Sequence, residues 1–269
     1  MNRSEIIEEL IKKDRFDFDD LTEIMGLLRS EGGCPWDREQ THKSIRKDFI
    51  EETYEAIEAI DNDDPHLLRE ELGDVLLQIV FHARIAEEEH QFDIGDVITE
   101  LCTKLIHRHP HVFGSACVEN GEQVLERWNQ IKNEEKQRTT VTSRLRSVPP
   151  SLPALMKASK VGKRAACFDF PDALSAFEKI REEMNEVSEL VGTDDADRLC
   201  EEIGDLLFSV ANFARKSGID AEEALNRATE KFVNRFERME ETAAKEGKCV
   251  ESMSENELNY IWEQQKEKI

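Results

Sequence analysis

Two stretches of this chain spell one acidic signature in one register. Glu51-Glu52-Thr53-Tyr54-Glu55 precedes Glu70-Glu71-Leu72-Gly73-Asp74, and Glu182-Glu183-Met184-Asn185-Glu186 precedes Glu201-Glu202-Ile203-Gly204-Asp205. Glu52, Glu55, Glu71 and Asp74 each have a counterpart 131 residues further on, in Glu183, Glu186, Glu202 and Asp205. In a chain that is 35% charged, one such run reads as a solvated helix face, but a solvated face has no reason to hold a constant offset across four positions. The chain must therefore fold one supersecondary unit twice.

Glu52 and Glu55 are three residues apart, as are Glu71 and Asp74, so each pair shares one face of its helix. A hairpin of two such helices brings four carboxylates together. Two carboxylates about 5 Å apart repel by roughly 3 kcal/mol at an effective dielectric of about 20, so the empty cluster is strained and a hard divalent cation relieves it. Mg²⁺ is the first expectation, with Mn²⁺ as a substitute ion.

Glu, Leu, Ala, Lys and Ile at helical spacing dominate the chain, while Gly and Pro are sparse, which predicts an all-α fold. A length of 269 residues is enough for two ordinary domains. The net charge of −23 repels nucleic acid and anionic membranes, and apolar runs such as Ile79-Val80-Phe81 are too short to span a bilayer. Glu5, Glu8 and Glu9 interrupt what would be a secretory apolar core, so the chain is expected in the cytoplasm. Six cysteines without a CxxC pair are expected to stay reduced.

The periodicity predicts an amphipathic helix from residue 18 to Glu31-Gly32-Gly33, then a rigid turn, Cys34-Pro35-Trp36-Asp37, whose Trp36 either plugs the core or stacks on a ligand. A carboxylate helix is expected over 43–61. Asp64 and Pro65 then open a second helix that runs to about Glu89 and buries Leu68, Leu72, Val75, Leu76, Ile79 and Val80. Gly73 and Gly204 are costly inside a helix, and close approach of the facing helix or of a ligand would explain both. A third helix over 94–108 carries Lys104 and Arg108 at i and i+4, repeated as Lys231 and Arg235, and the pair suits an anion held opposite the acidic cluster. His107, His109 and His111 offer a weaker metal reading, which Pro110 disfavours. Trp128 and Lys132 on a helix over 121–137 recur as Trp262 and Lys266, either as core packing or as base stacking with a phosphate contact.

From Lys136 to Arg164 there are basic residues and no acidic one, with Pro149, Pro150 and Pro153 in the middle. This predicts an N-terminal domain over 1–137, a basic linker over 138–151 and a C-terminal domain over 152–269. A basic helix near 152–166 is expected to dock against a domain or subunit.

Taken together, EExxE followed by ExxD, Gly33-Cys34-Pro35-Trp36-Asp37, Glu70-Glu71-Leu72-Gly73-Asp74 and Arg108-His109-Pro110-His111-Val112-Phe113 resemble the two-domain MazG nucleoside triphosphate pyrophosphohydrolases of bacteria, from about residue 18 to Ile269. The resemblance implies two four-helix-type domains in tandem and a homodimer. It also implies Mg²⁺-dependent hydrolysis of a nucleoside triphosphate to the monophosphate and pyrophosphate, in keeping the nucleotide pool clean. On the matching positions it implies metal ligands at Glu52, Glu55, Glu71 and Asp74, and at Glu183, Glu186, Glu202 and Asp205. Substrate contacts fall on Lys231, Arg235, Trp262 and Lys266, with Lys104, Arg108, Trp128 and Lys132 as first-domain equivalents. Phe168-Asp169-Phe170 departs from the Phe-Asp-Trp turn of similar chains.

The residues agree with this chemistry. A triphosphate is strongly anionic, so an acidic protein holds it through bridging cations with Lys and Arg at the far side. No Gly-x-x-x-x-Gly-Lys-Ser/Thr cradle is present, and Glu51 and Glu182 are candidates for positioning the attacking water. Of the alternatives, a di-iron carboxylate bundle needs repeated Glu-x-x-His motifs, and only Glu87-x-x-His90 fits. A non-catalytic nucleotide-sensing or dimerisation module would keep the same residues.

Overall fold

The computed structural model describes residues 2–266, and among these there is no strand. The chain divides into two compact units, the first ending at Asn129 and the second beginning at Gln130. The first unit holds α1 (Arg3–Lys12), α2 (Phe18–Arg29), α3 (Pro35–Glu39), α4 (Arg46–Asp61), α5 (Pro65–Glu88), α6 (Ile94–Arg108) and α7 (Pro110–Phe113), and the division falls inside α8 (Gly121–Glu135). The second holds α9 (Val141–Arg146), α10 (Ala154–Arg164), α11 (Ala173–Leu190), α12 (Ala196–Lys216), α13 (Ala221–Lys245) and α14 (Glu255–Lys266). No described helix is long and apolar enough to cross a membrane.

Short acidic caps set the helix starts. Asp64 accepts from the amides of His66 and Leu67, and Pro65 supplies a first helical residue that has no amide to satisfy. Asp93 and Asp96 close a reciprocal capping box at the start of α6. The α4–α5 turn is tight enough to put Asp63 in the left-handed region at φ 51°, which a short polar side chain tolerates. The result is an α4–α5 hairpin, and α11 and α12 form its equivalent in the second unit.

The core of the first unit is Met25, Ile45, Val80, Phe81 and Ile85, with Phe18, Leu21 and Leu77 against it. Arg29 ties this core to the turn before α4. It is buried, forms a 2.8 Å ion pair with Glu88, donates to the Asp37 and Gln40 carbonyls, and sits 5.3 Å over the Phe81 ring. In the second unit α10 packs against α12 so closely that a Cβ at Gly162 would lie 1.9 Å from Asn212 Oδ1, so any side chain there would displace Asn212. The stretch 138–151 carries α9, its Val148 is buried, and Arg164 donates to the Arg144 carbonyl and the Ser147 hydroxyl.

Three expectations need correction. Trp36 does not plug the core, because it stands 59% exposed on the short α3. The apolar stripe of α5 is only partly buried: Val80 is covered, but Leu72, Leu76 and Ile79 are 54%, 37% and 36% exposed. Close approach of a facing helix does not explain Gly73 or Gly204, because a Cβ at either would meet nothing within 4 Å.

Asp169 lies in the turn before α11 and is tied to the end of α12 by Arg215 at 2.5 Å and Lys216 at 2.8 Å. Burial alone would raise this carboxyl, but the hydrogen bonds and charges of Arg215 and Lys216 outweigh it and hold it at about 2, against an ordinary 3.8. The folded-state value is depressed, so the ion pairs stabilise the fold fully above the unfolded value and lose that effect as pH falls from 3.8 toward 2. Asp169→Asn is expected to cost about 2 kcal/mol in urea denaturation at neutral pH and progressively less as the pH approaches 2.

Candidate metal centres on two helix hairpins

In the first unit the carboxylates sit in the seam of the hairpin. Ala56 and Ala59 of α4 are buried, and Glu52 and Glu55 continue the same face by one turn, so both point toward α5. On α5 the buried residues Glu71, Gln78 and Ile85 recur every seven positions, which places Glu71 in line with core residues on a rigid element. The second unit uses the same device, since Ala176, Glu183 and Leu190 line the buried face of α11.

One carboxylate oxygen from each of Glu52, Glu55 and Glu71 lies within 4.8 Å of the other two, and the same holds for Glu183, Glu186 and Glu202. The Glu55 carboxylate stands close to both Glu52 and Glu71 and adds its negative charge to each. Burial, and then the surrounding negative charges, raise the acids at Glu52 and Glu71; Asp74 acts on both. Asp74 is thus part of the field of the first cluster, although it lies outside the three-residue group. Asp205 also lies outside its group and is exposed. Glu186 is raised first by its hydrogen bond with Glu202, then by burial and by the Glu202 and Glu183 charges. Crowded, hard oxygen donors of one sign are a set that a hard divalent cation fits.

The second cluster contains a group that the sequence reading did not single out. Lys179 Nζ lies 2.7 Å from Glu182 and 2.8 Å from Glu183, and Arg198 Nε lies 4.0 Å from Glu202. The repeat itself was the available signal: Lys179 stands four residues before Glu183, where the first copy has Asp48 before Glu52. Glu51 and Glu182 are both exposed, one position before a cluster member.

The basic and aromatic candidates pair with one another. Arg108 is buried with its guanidinium 5.3 Å over Trp128, and Arg235 lies 6.0 Å over Trp262. Trp262 also meets Phe232 at 5.1 Å, and Trp128 takes His109 edge-on at 4.8 Å. Both indoles are half-buried, so each combines packing with an accessible edge or face. Lys104 pairs with Glu100 and Lys266 with Glu263, each along its own helix, while Lys231 is exposed and Lys132 is half-buried on α8. The strongest influences on Glu52, Glu71 and Glu186 come from the hairpins that carry them and not from these basic residues. His107, His109 and His111 take part in no three-residue metal group among the described residues.

Comparison with known proteins matches the MazG nucleotide pyrophosphohydrolase domain to residues 40–113 and 171–239, and each segment contains one carboxylate cluster. A nucleoside triphosphate pyrophosphohydrolase/pyrophosphatase MazG from Thermotoga maritima is 46% identical over 93% of this chain and 95% of its own length. A nucleoside triphosphate pyrophosphohydrolase from Escherichia coli K12 is 44% identical over 92% of this chain and 96% of its own length. YabN of Bacillus subtilis, an uncharacterised protein, is 44% identical over 93% of this chain but only 52% of its own length. A carboxylate seam folded twice and a domain matched twice in the same two places show that the chain belongs to the MazG nucleotide pyrophosphohydrolase family.

Proposed function

We infer that this protein hydrolyses nucleoside triphosphates to the monophosphate and pyrophosphate with Mg²⁺, Mn²⁺ serving as a substitute, and that it clears unwanted nucleotides from the cytoplasmic pool. The observation that carries this reading is the pair of tight carboxylate groups, each set in a hairpin seam of a MazG domain. The domains are taken as 1–137 and 152–269, with 138–151 between them.

Glu52, Glu55, Glu71 and Asp74 would hold the cation in the first domain, and Glu183, Glu186, Glu202 and Asp205 in the second. Bound there, Mg²⁺ would neutralise the triphosphate and polarise a phosphoryl oxygen. The protein's own part is to fix the carboxylates on rigid helices, which keeps the donors preorganised. Lys104 and Arg108, and Lys231 and Arg235, offer positive charge for phosphates, as do Lys132 and Lys266, each four residues after Trp128 or Trp262. Trp128 and Trp262 offer aromatic surface for a base. Glu51 and Glu182, each adjacent in sequence to a proposed ligand, are the candidates for accepting a hydrogen bond from the attacking water.

A homodimer is the proposed assembly. Its support is the apolar surface that one chain leaves open: Leu101 and Leu105 on α6 in the first unit, and Phe232, Val233 and Phe236 on α13 in the second, besides the uncovered stripe of α5. Faces of this kind mark contact surfaces.

Three measurements test these statements. Pyrophosphate and monophosphate should appear from a panel of nucleoside triphosphates with Mg²⁺. Glu71→Gln or Glu202→Gln should lower turnover by about 100-fold in whichever domain is the active one, and the double substitution should abolish it. Release of orthophosphate, or binding without turnover, would replace the hydrolase with the sensing module. In metal-free protein the raised acids at Glu52 and Glu71 make stability fall as pH rises above the ordinary value of 4.5, and Glu71→Gln should flatten that fall in a thermal melt. Sedimentation equilibrium should give twice the 31.0 kDa chain mass, and Leu101→Glu should shift it toward the monomer.

A further inference from the structure

The two repeats keep the same carboxylates but differ in charge at two positions, each one helical turn before a ligand. The residue one helical turn before the first ligand is Asp48 in the first copy and Lys179 in the second, 131 positions later. The residue one turn before the third ligand is Leu67 in the first copy and Arg198 in the second, at the same offset. The structure makes these differences physical. Lys179 Nζ is 2.8 Å from Glu183, whose side chain is only 5% exposed, and 2.7 Å from Glu182. Arg198 stands 4.0 Å from Glu202 with its own side chain 60% exposed. Among the described residues no ion pair of this kind reaches Glu52, Glu55 or Glu71, and Asp48 adds another negative charge to that helix.

We propose that the two clusters are unequal cation sites: the first binds a divalent ion tightly in the absence of nucleotide, and the second binds one weakly because Lys179 already serves as its internal counter-ion. The inference rests on the metal-binding reading above. A divalent ion entering the second cluster must either displace the ammonium from Glu183 or bind the remaining oxygens against its repulsion, and the first cluster imposes neither cost. Lys179 dominates over Arg198, since its contact with a nearly buried carboxylate is poorly screened, whereas an exposed pair at 4.0 Å contributes little. The repeats thus differ in how far the metal depends on whatever else enters the site, although their ligands are the same.

Mn²⁺ titration of the metal-free full-length protein without nucleotide, read by the loss of the free-ion electron paramagnetic resonance signal, tests this directly. Two classes of site are expected, separated by about tenfold or more. Glu71→Gln should remove the tight class and Glu202→Gln the weak one. Lys179→Met should tighten the weak class toward the other, Lys179→Arg should leave it weak, and Asp48→Lys should weaken the tight class, with circular dichroism confirming that each variant is folded. Equal affinities in the parent, or no response to both Lys179→Met and Asp48→Lys, would overturn the inequality while leaving the metal sites in place. Saturable binding that survives both glutamate substitutions would overturn the metal reading, and the inequality with it.

Discussion

The structure turns on a helix seam that is asked to hold carboxylates where a seam ordinarily holds leucine. Burying an ionised acid is costly unless it is paired, and here Glu71 and Glu183 lie in register with Ile85 and Leu190 on the buried faces of their helices. Small residues make this feasible. Ala56 and Ala59 on α4, and Ala176 on α11, let the partner helix approach while leaving room for acid side chains a turn away. The apolar end of α5, with Val80, Phe81 and Ile85, shares one core with Met25 of α2 and with Ile45 just before α4, which anchors the hairpin away from its acidic residues. Crowded like charge at one end of a well-packed element is what a preformed cation site requires.

The tie that holds each hairpin to its preceding turn is built differently in the two copies. In the first unit the end of α5 presents Glu88, and Arg29 bridges it to the carbonyls behind the Pro35 turn. In the second unit the end of α12 presents Arg215 and Lys216, and Asp169 of the turn answers them. The two ties use different positions: at the 131-residue offset Arg215 corresponds to Arg84 and Ile219 to Glu88, so each unit anchors the end of its hairpin with its own ion pair.

The Arg–Trp pairs recur in both units. Arg108 on Trp128 and Arg235 on Trp262 are retained, although the helices that carry them differ in length and the Arg and Trp stand 20 residues apart in the first copy and 27 in the second. In each case a fixed guanidinium is combined with an indole that keeps part of its surface accessible. Such a pair can pack the bundle and still meet a ligand.

The sequence alone determined the all-α class, the duplication, the helix start at Asp64-Pro65, and six acids, three in each copy, that the structure brings together. These are properties of local spacing and capping, which neighbouring residues decide among themselves. Tertiary structure decided the rest. Whether Leu72, Leu76 and Ile79 were covered depended on which helices lay above them, and periodicity records an apolar face without recording its partner. The same was true of Trp36, which a Pro-containing turn presents to solvent as readily as to a core. Lys179 was visible as a letter but not as a counter-ion, because only the packing of Glu183 into the seam turns a flexible lysine one turn away into a fixed 2.8 Å contact.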